Sequence, residues 1–320
     1  MNLVNAKHLC DQAAAKGFGI PALNNNGGTY DIGRAIIEAA QELQSPLIIQ
    51  CYEPNLEYRG FDYAGQLLRF LAEPTTIPMA IALDHGKTPQ SIFRAVKAGF
   101  NHVMIDYADK PLDKNVRGTQ QIIDLVRPLG ISVEAEIGHI IKSSDDSSQR
   151  AATVSVAEAK EFSSKVDVDL LAVAVGTTHG IFKEQHGIDF GLISKLRSAV
   201  KPPLVLHGTC GVSMEDISKC VKAGMTKINF GEGIRMNYIQ YFNELSRTLN
   251  HEHHVWRIDR AAKERLKKDI KEIIQAVGSD GKADALKNNH VVFSLPPTSD
   301  GRRASSPQPR SKGRLVAQKR

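Results

Sequence analysis

Three histidines stand at or just past the ends of separate short apolar runs: His85 in AIALDHG, His179 in LLAVAVGTTHG and His207 in PLVLHGT. Imidazoles this far apart in sequence meet around one ion only when a fold gathers strand ends together. Three neutral nitrogens with an open position are the ligand set of a catalytic zinc centre, which implies Lewis-acid chemistry. A single histidine reads better as a hydrogen-bonded structural residue, but three at equivalent strand ends shift that balance toward a metal. Asp84 directly precedes His85. Neighbours on a regular strand point to opposite faces, whereas a turn at the strand end can aim both at one mouth. The plain alternative for Asp84 is a carboxylate that orients an imidazole. Glu134 and Glu136 lie two apart in SVEAEI and therefore share a face. Facing a lumen, one of them is a further metal ligand or a base, and a buried structural pair is the equal alternative.

Eight short segments rich in Val, Ile, Leu and Ala carry these residues: 18–24, 46–51, 79–84, 102–107, 132–137, 170–176, 203–208 and 227–230. Such near-continuous apolar runs mark strands buried on both faces. Stretches between them, such as DIGRAIIEAAQEL and SMEDISKCVKAG, space apolar residues three and four apart and often end at Gly. Eight βα units predict a (β/α)8 TIM barrel over residues 1–285, with the active site at the C-terminal ends of the strands. An open doubly wound sheet fits less well, because no GxGxxG follows the first strand. After the eighth strand, WRIDRAAKERLKKDIKEIIQAVGSDGKA reads as a long amphipathic helix closing at Gly278, a C-terminal extension of the barrel. The preceding HEHH, residues 251–254, lies in no strand-end context and reads as a polar loop.

The formal charge of +6 is misleading as a guide to partners. Residues 301–320 hold seven Lys or Arg and no acid, leaving about −1 for the first 300. Residues 286–320 read as a basic, disordered tail, too poor in large apolar residues to fold. Basic residues confined to a tail argue against nucleic-acid binding as a primary role. Four cysteines without a CxxC pair indicate neither a disulfide framework nor a thiolate zinc knuckle. No signal-peptide core and no run of 18 apolar residues is present, so a cytoplasmic protein without a membrane partner is expected.

Taken together, ALDHG, VEAEIGH, VGTTHG, LVLHGTCG and KIN, with the terminal GSDGKA, closely resemble the class II, metal-dependent ketose-bisphosphate aldolases over roughly residues 1–285. The resemblance implies a retro-aldol lyase of carbohydrate metabolism acting on a small ketose and its aldehyde product. In it Zn²⁺, held by the residues matching His85, His179 and His207, polarises a ketone and stabilises the enediolate left by carbon-bond cleavage. Co²⁺ or Mn²⁺ would also suit such ligands. The resemblance further gives Asp84 as the acid/base at the aldehyde-forming hydroxyl and Glu136 as a residue of an alternative metal position. Asn229 contacts substrate near the enediolate. Asn24, Gly180, Gly208, Cys210, Gly211 and Glu232 complete the substrate side, with a monovalent cation and a homodimer or larger assembly as further family traits.

Several positions depart from the family pattern. Gly208-Thr209-Cys210-Gly211 stands where the family reads GGSG, whose small residues wrap a phosphate. Phe230-Gly231-Glu232-Gly233 follows Asn229 where the family has a phosphate-binding Thr or Ser, and the Glu232 carboxylate would repel a phosphate. Tyr52 replaces a serine, and Tyr107-Ala108 replaces a Gly-Ser. In the loop after the fifth strand the family's GGxED base is absent: Ile141-Lys142 stand at the glycines and Ser144 at the Glu, so Asp145 or Asp146 is the substitute base if the loop shifts by a residue. The first expectation is therefore a metal-dependent aldolase with an atypical, non-phosphorylated ketose-like substrate. Three alternatives stand beside it. One is an ordinary ketose-bisphosphate aldolase drawing on Lys227, Lys142 or tail arginines for the anion; another is a non-catalytic metal-binding barrel; the last is Schiff-base chemistry at Lys227.

Overall fold

The computed structural model describes residues 2–138, 153–178, 187–249 and 253–289. Nine strands form one sheet: β1 (Asn2–Leu3), β2 (Ile20–Asn24), β3 (Leu47–Tyr52), β4 (Pro78–Gly86), β5 (His102–Ile105), β6 (Ser132–Ile137), β7 (Leu170–Val173), β8 (Leu204–Leu206) and β9 (Met225–Phe230). β2 to β9 pair in parallel, each with the next, and β9 returns to β2, so eight strands close a TIM barrel with helices around it. β1 is an addition that the sequence patterns do not announce, a two-residue strand pairing Asn2 and Leu3 with Pro78 and Met79. Each anticipated strand is present with small shifts at its ends. The sixth, 170–176, stops at Val173, beyond which Val175 bridges Thr153, and the last begins two residues earlier than its apolar run.

Alternation along the strands divides the barrel interior into an apolar floor and a polar mouth. Ala22, Ile48, Ala80, Ala82, Ala172 and Val205 point inward in the lower layers. The helix Ala6–Lys16 buries Ala6, Leu9, Cys10 and Ala13 in this same cluster and plugs the bottom. Two residues further along the same strands, the inward positions become Asn24, Gln50, Asp84 and His207, all buried. β6 and β9 add Glu134, Glu136, Lys227 and Asn229 on the same alternation. The outward residues form the larger cluster under the helical layer.

The C-terminal helix runs over Val255–Ala276 and ends at Gly278, whose φ of 72° only glycine adopts without strain. It lies along the helix Tyr30–Glu42, burying Ile258, Ala262, Leu266, Ile270 and Ile274. Lys263 pairs with Glu38, and Lys267 and Lys271 pair with Glu42. The helix Glu232–Thr248, following β9, is not among the elements read from the sequence, although Ile234, Tyr238, Tyr241 and Leu245 stand three and four apart and form its packed face. Of HEHH, His251 and Glu252 lie outside the described residues, and His254 immediately precedes the C-terminal helix. Residues 290–320, most of the expected tail, also lie outside them. No helix among the described residues is long and apolar enough to cross a membrane.

Candidate metal centre

A break in strand pairing brings Asp84 and His85 to the same mouth. Leu83 opposes Val103 and Gly86 opposes Ile105, so β4 carries one residue more than β5 over this stretch. The extra residue bulges, and His85 takes a φ of 54°, a conformation few non-glycine residues adopt. Gly86 is required next, since a Cβ there would lie 2.8 Å from the Met104 carbonyl oxygen. This backbone arrangement costs about 1–3 kcal/mol, a strain typical of functional sites. In return, Asp84, His85 and His207 bring their donor atoms within 4.8 Å of one another.

The two histidines face each other through one nitrogen and are anchored through the other. His85 Nε2 and His207 Nδ1 are 3.1 Å apart. Behind them, His85 Nδ1 meets Asp106 Oδ2 at 2.8 Å and His207 Nε2 meets Glu134 Oε1 at 2.8 Å. Carboxylates on the far nitrogens fix each ring's tautomer and raise the basicity of the nitrogen turned inward, as is usual for metal-ligating histidines. Burial opposes charge on His85, but Asp84, Asp106 and Glu136 outweigh it and push the imidazole up to about 9. Burial, with the neighbouring His85, pulls His207 below its ordinary value despite Glu134. Burial would raise Asp106, yet His85 and Lys87 hold it well below the usual carboxylate range.

Asp84 is held by two amides. Asn24 Nδ2 donates to its Oδ2 at 3.1 Å and Asn229 Nδ2 donates to its Oδ1 at 3.3 Å. The orientation of Asn229 is set from below, because Lys227 Nζ donates to Asn229 Oδ1 at 2.8 Å. Lys227 is fully buried and also pairs with Glu134 Oε2 at 2.8 Å. Glu134 meets His102 Nε2 at 3.2 Å and His207, so one carboxylate joins a histidine of the centre to a lysine. Burial opposes the Glu134 charge, and Lys227, His102 and His207 reverse that effect and hold it well below its ordinary value. Both glutamates of β6 thus enter the interior, with different surroundings. Glu136 shares with His85 and Asp106 a second group of donor atoms within 4.8 Å, while Glu134 lies under His207.

The turn after β8 lies against the chain before position 179. Gly208 has a φ of 69°, and a Cβ there would come within 2.8 Å of the Thr178 backbone. Thr209 Oγ1 donates to the Asn229 carbonyl at 2.6 Å and is committed to the scaffold. Beside the turn is a cavity of about 270 Å³ lined in part by Thr177, Thr178, Gly208, Cys210 and Val212. Burial and the nearby Glu232 carboxylate push the Cys210 thiol up, against the pull of Arg235. Glu232 and Arg235 pair at 3.2 Å in the first turn of the helix Glu232–Thr248. His179, Gly180, Asp145 and Asp146 lie outside the described residues, as do Ile141, Lys142 and Ser144.

Three parts of this site escape the sequence reading: Asp106, His102 and Arg235. Asp106 ends an apolar run as Asp84 does, and that position was a usable signal; His102 and Arg235 carry none. A fourth residue has a different place from the one considered for it. The sequence offers Lys227 as an anion contact or a Schiff-base nucleophile, whereas its side-chain nitrogen lies inside the barrel against Glu134 and Asn229. A nucleophilic lysine must reach the substrate, and this one is fully buried with its nitrogen committed to Glu134 and Asn229.

Comparison with known proteins places the chain in a family. Residues 4–282 match the profile of the fructose-bisphosphate aldolase class-II family. The chain belongs to that family. As a class II aldolase it is a lyase by family, and its relatives carry related names. A sulfofructosephosphate aldolase of Alkalicoccus urumqiensis is 30% identical over 287 residues, spanning 88% of this chain and 99% of that protein. A fructose-bisphosphate aldolase of Helicobacter pylori (strain ATCC 700392 / 26695) is 31% identical over 307 residues, spanning 88% and 99%. The crystal structure of the YdjI aldolase of Escherichia coli K12 superposes on this aldolase with a TM-score of 0.79 at 28% identity, covering 88% of this chain and 99% of that one.

Proposed function

We propose that this class II aldolase is zinc-dependent and cleaves an atypical ketose whose donor end carries no phosphate at the family's usual subsite. The observation that supports the metal is the pair of histidines facing each other at 3.1 Å, each backed by a carboxylate. His85 and His207 are two ligands, and His179 is the third: Thr178, which precedes it, lies against Gly208, which follows His207. A zinc ion, or Co²⁺ or Mn²⁺ in its place, supplies Lewis-acid stabilisation of developing oxyanion charge.

The chain's own residues do the rest. Asp84 takes the proton of the aldehyde-forming hydroxyl and returns it in the synthetic direction. Asn24 and Asn229 hold its two oxygens in place, and Lys227 fixes which end of the Asn229 amide faces it. Asp145 or Asp146 serves as the base that removes the ketone's α-proton. Gly208, Cys210 and Gly211 form the turn at the donor end, and Gly180 is the residue the family resemblance adds to it. At that corner Glu232 occupies the first turn of a helix, where the dipole favours an anion, so the chain brings its own carboxylate to a place suited to phosphate.

A second reading rests on Arg235. Its guanidinium pairs with Glu232 beside Cys210, and turned toward the 208–211 turn it would hold a phosphate in place of the missing serine. Exchange of α-hydrogens in D₂O, followed by proton NMR with dihydroxyacetone and dihydroxyacetone phosphate in parallel, separates the two. Chelator-sensitive exchange of the unphosphorylated ketone alone establishes the first reading, and exchange of the phosphate ester alone establishes the second. Exchange that persists in chelator removes the metal from both.

A further inference from the structure

His85 belongs to two possible donor groups at once, one with Asp84 and His207 and the other with Asp106 and Glu136. The two nitrogens of the ring have different neighbours. Nε2 faces His207, and Nδ1 faces Asp106. The second group differs from the first in having a cation of the chain inside it. Lys87 Nζ stands 2.6 Å from Asp106 Oδ2, the same oxygen that meets His85 Nδ1. The other oxygen of Asp106 accepts the Ala108 N–H at 3.3 Å.

Lys87 is placed for this contact by its backbone. Its N–H donates to Glu53 Oε2 at 2.7 Å, and Thr88 immediately after it begins a helix with a reciprocal capping bond to Ser91. Its side chain is 43% exposed while that of Asp106 is 6% exposed, so a long side chain with access to water is folded back onto a nearly buried carboxylate. Asp109 and Glu136 add to the negative field around the ammonium.

Resting on the metal-centre reading above, we infer that Lys87 is the standing cation of the Asp106–Glu136 side of His85, so that the centre accepts one divalent ion, on the Asp84–His207 side, and refuses a second. An ion entering between Asp106 and Glu136 would compete with an ammonium for the same oxygen and be repelled by it. It would also need the His85 nitrogen that Asp106 now holds. The same contact holds Asp106 against Nδ1, which leaves Nε2 as the nitrogen turned toward His207 and the ion. Lys87 is a positioning residue in this scheme and touches no substrate.

Metal stoichiometry on the full chain tests this. Chelator-stripped protein is titrated calorimetrically with Zn²⁺ and with Mn²⁺, and bound metal per chain is measured by plasma emission spectrometry after dialysis. Wild type should take up one ion, and Lys87→Arg, which keeps the charge, should do the same. Lys87→Met should show a second uptake step at least tenfold weaker than the first, and adding Asp106→Asn to it should remove that second step. Lys87 is at the surface, so an unchanged circular dichroism spectrum is expected for its variants. A single ion in Lys87→Met, or two in wild type, overturns the role of Lys87 while leaving the metal centre standing. No ion in wild type overturns the metal centre itself, and this inference falls with it.

Discussion

His85 Nε2 and His207 Nδ1 meet at 3.1 Å across rings inclined at 79°, from strands 122 residues apart. Two imidazoles so placed, each tied behind to a carboxylate, are arranged to share something between them. The donor set suits a divalent ion. Replacing His207 with Ala should therefore weaken zinc binding more than loss of an outer-shell partner does, by at least about 100-fold. Zinc retained at wild-type level after dialysis of His207→Ala, together with carbon-bond cleavage, would refute the assignment.

Asp84 is expected to act on a proton and not to hold the ion unaided. Asp84→Asn keeps the shape and the bond from one amide, and should lower kcat for cleavage by about 10²–10⁴. Zinc content and α-hydrogen exchange of the ketone should survive. Steady-state kinetics, metal analysis and the exchange measurement on one preparation give all three values, and a loss of zinc in step with activity would make Asp84 a ligand first.

Glu134 couples stability to the centre. Glu134→Gln leaves the Lys227 ammonium buried against a neutral amide, which should cost about 3 kcal/mol, read as a lower Tm. Zinc affinity should fall about 10- to 100-fold, because His207 loses its charged anchor. Adding Lys227→Met should recover part of the Tm and none of the zinc affinity. If Tm and affinity recovered together, the effect of Glu134 would be one of stability alone.

Acid should weaken the ion pairs that Glu264 makes with Lys263 and Lys267 within the C-terminal helix. Hydrogen bonds from Lys267 and Lys263 lower the Glu264 carboxyl to about 2, below its ordinary value. A lowered folded value means that the stabilisation is present above the unfolded value, near 4.5, and is lost as pH falls toward 2. Glu264→Gln should therefore lower Tm slightly at pH 7, by the 1 kcal/mol or less typical of exposed pairs, as an order of magnitude. At about pH 3 the gap from wild type should narrow. Thermal melts of both proteins across that range provide the check, and a gap independent of pH would assign the effect to packing.

Local pattern carried much of this protein. Eight apolar runs with helices between them prescribe the barrel, since strands covered on both faces need apolar residues at nearly every position. The three histidines and Asp84 at strand ends announce a metal centre for the same reason: in a parallel barrel, equivalent strand ends are neighbours. The spacing of Glu134 and Glu136 already requires that they share a face, and the closed sheet turns that face inward.

The partnerships among these residues were decided elsewhere. That Asp106 anchors His85, that Lys227 spans Glu134 and Asn229, and that Lys87 folds onto Asp106 depend on strand register and side-chain direction across the barrel. The bulge that turns Asp84 and His85 to one mouth is a mismatch between β4 and β5, which no single strand encodes. The helix Glu232–Thr248 carries a stripe at Ile234, Tyr238, Tyr241 and Leu245, and its partner, the C-terminal helix at Ile258 and Ala262, is set only by the tertiary structure. Sequence by itself determined which elements form and which residues stand at their ends, because those follow from local periodicity. Tertiary structure alone decided which charges meet, because each pairing joins strands whose separation along the chain carries no periodic signal.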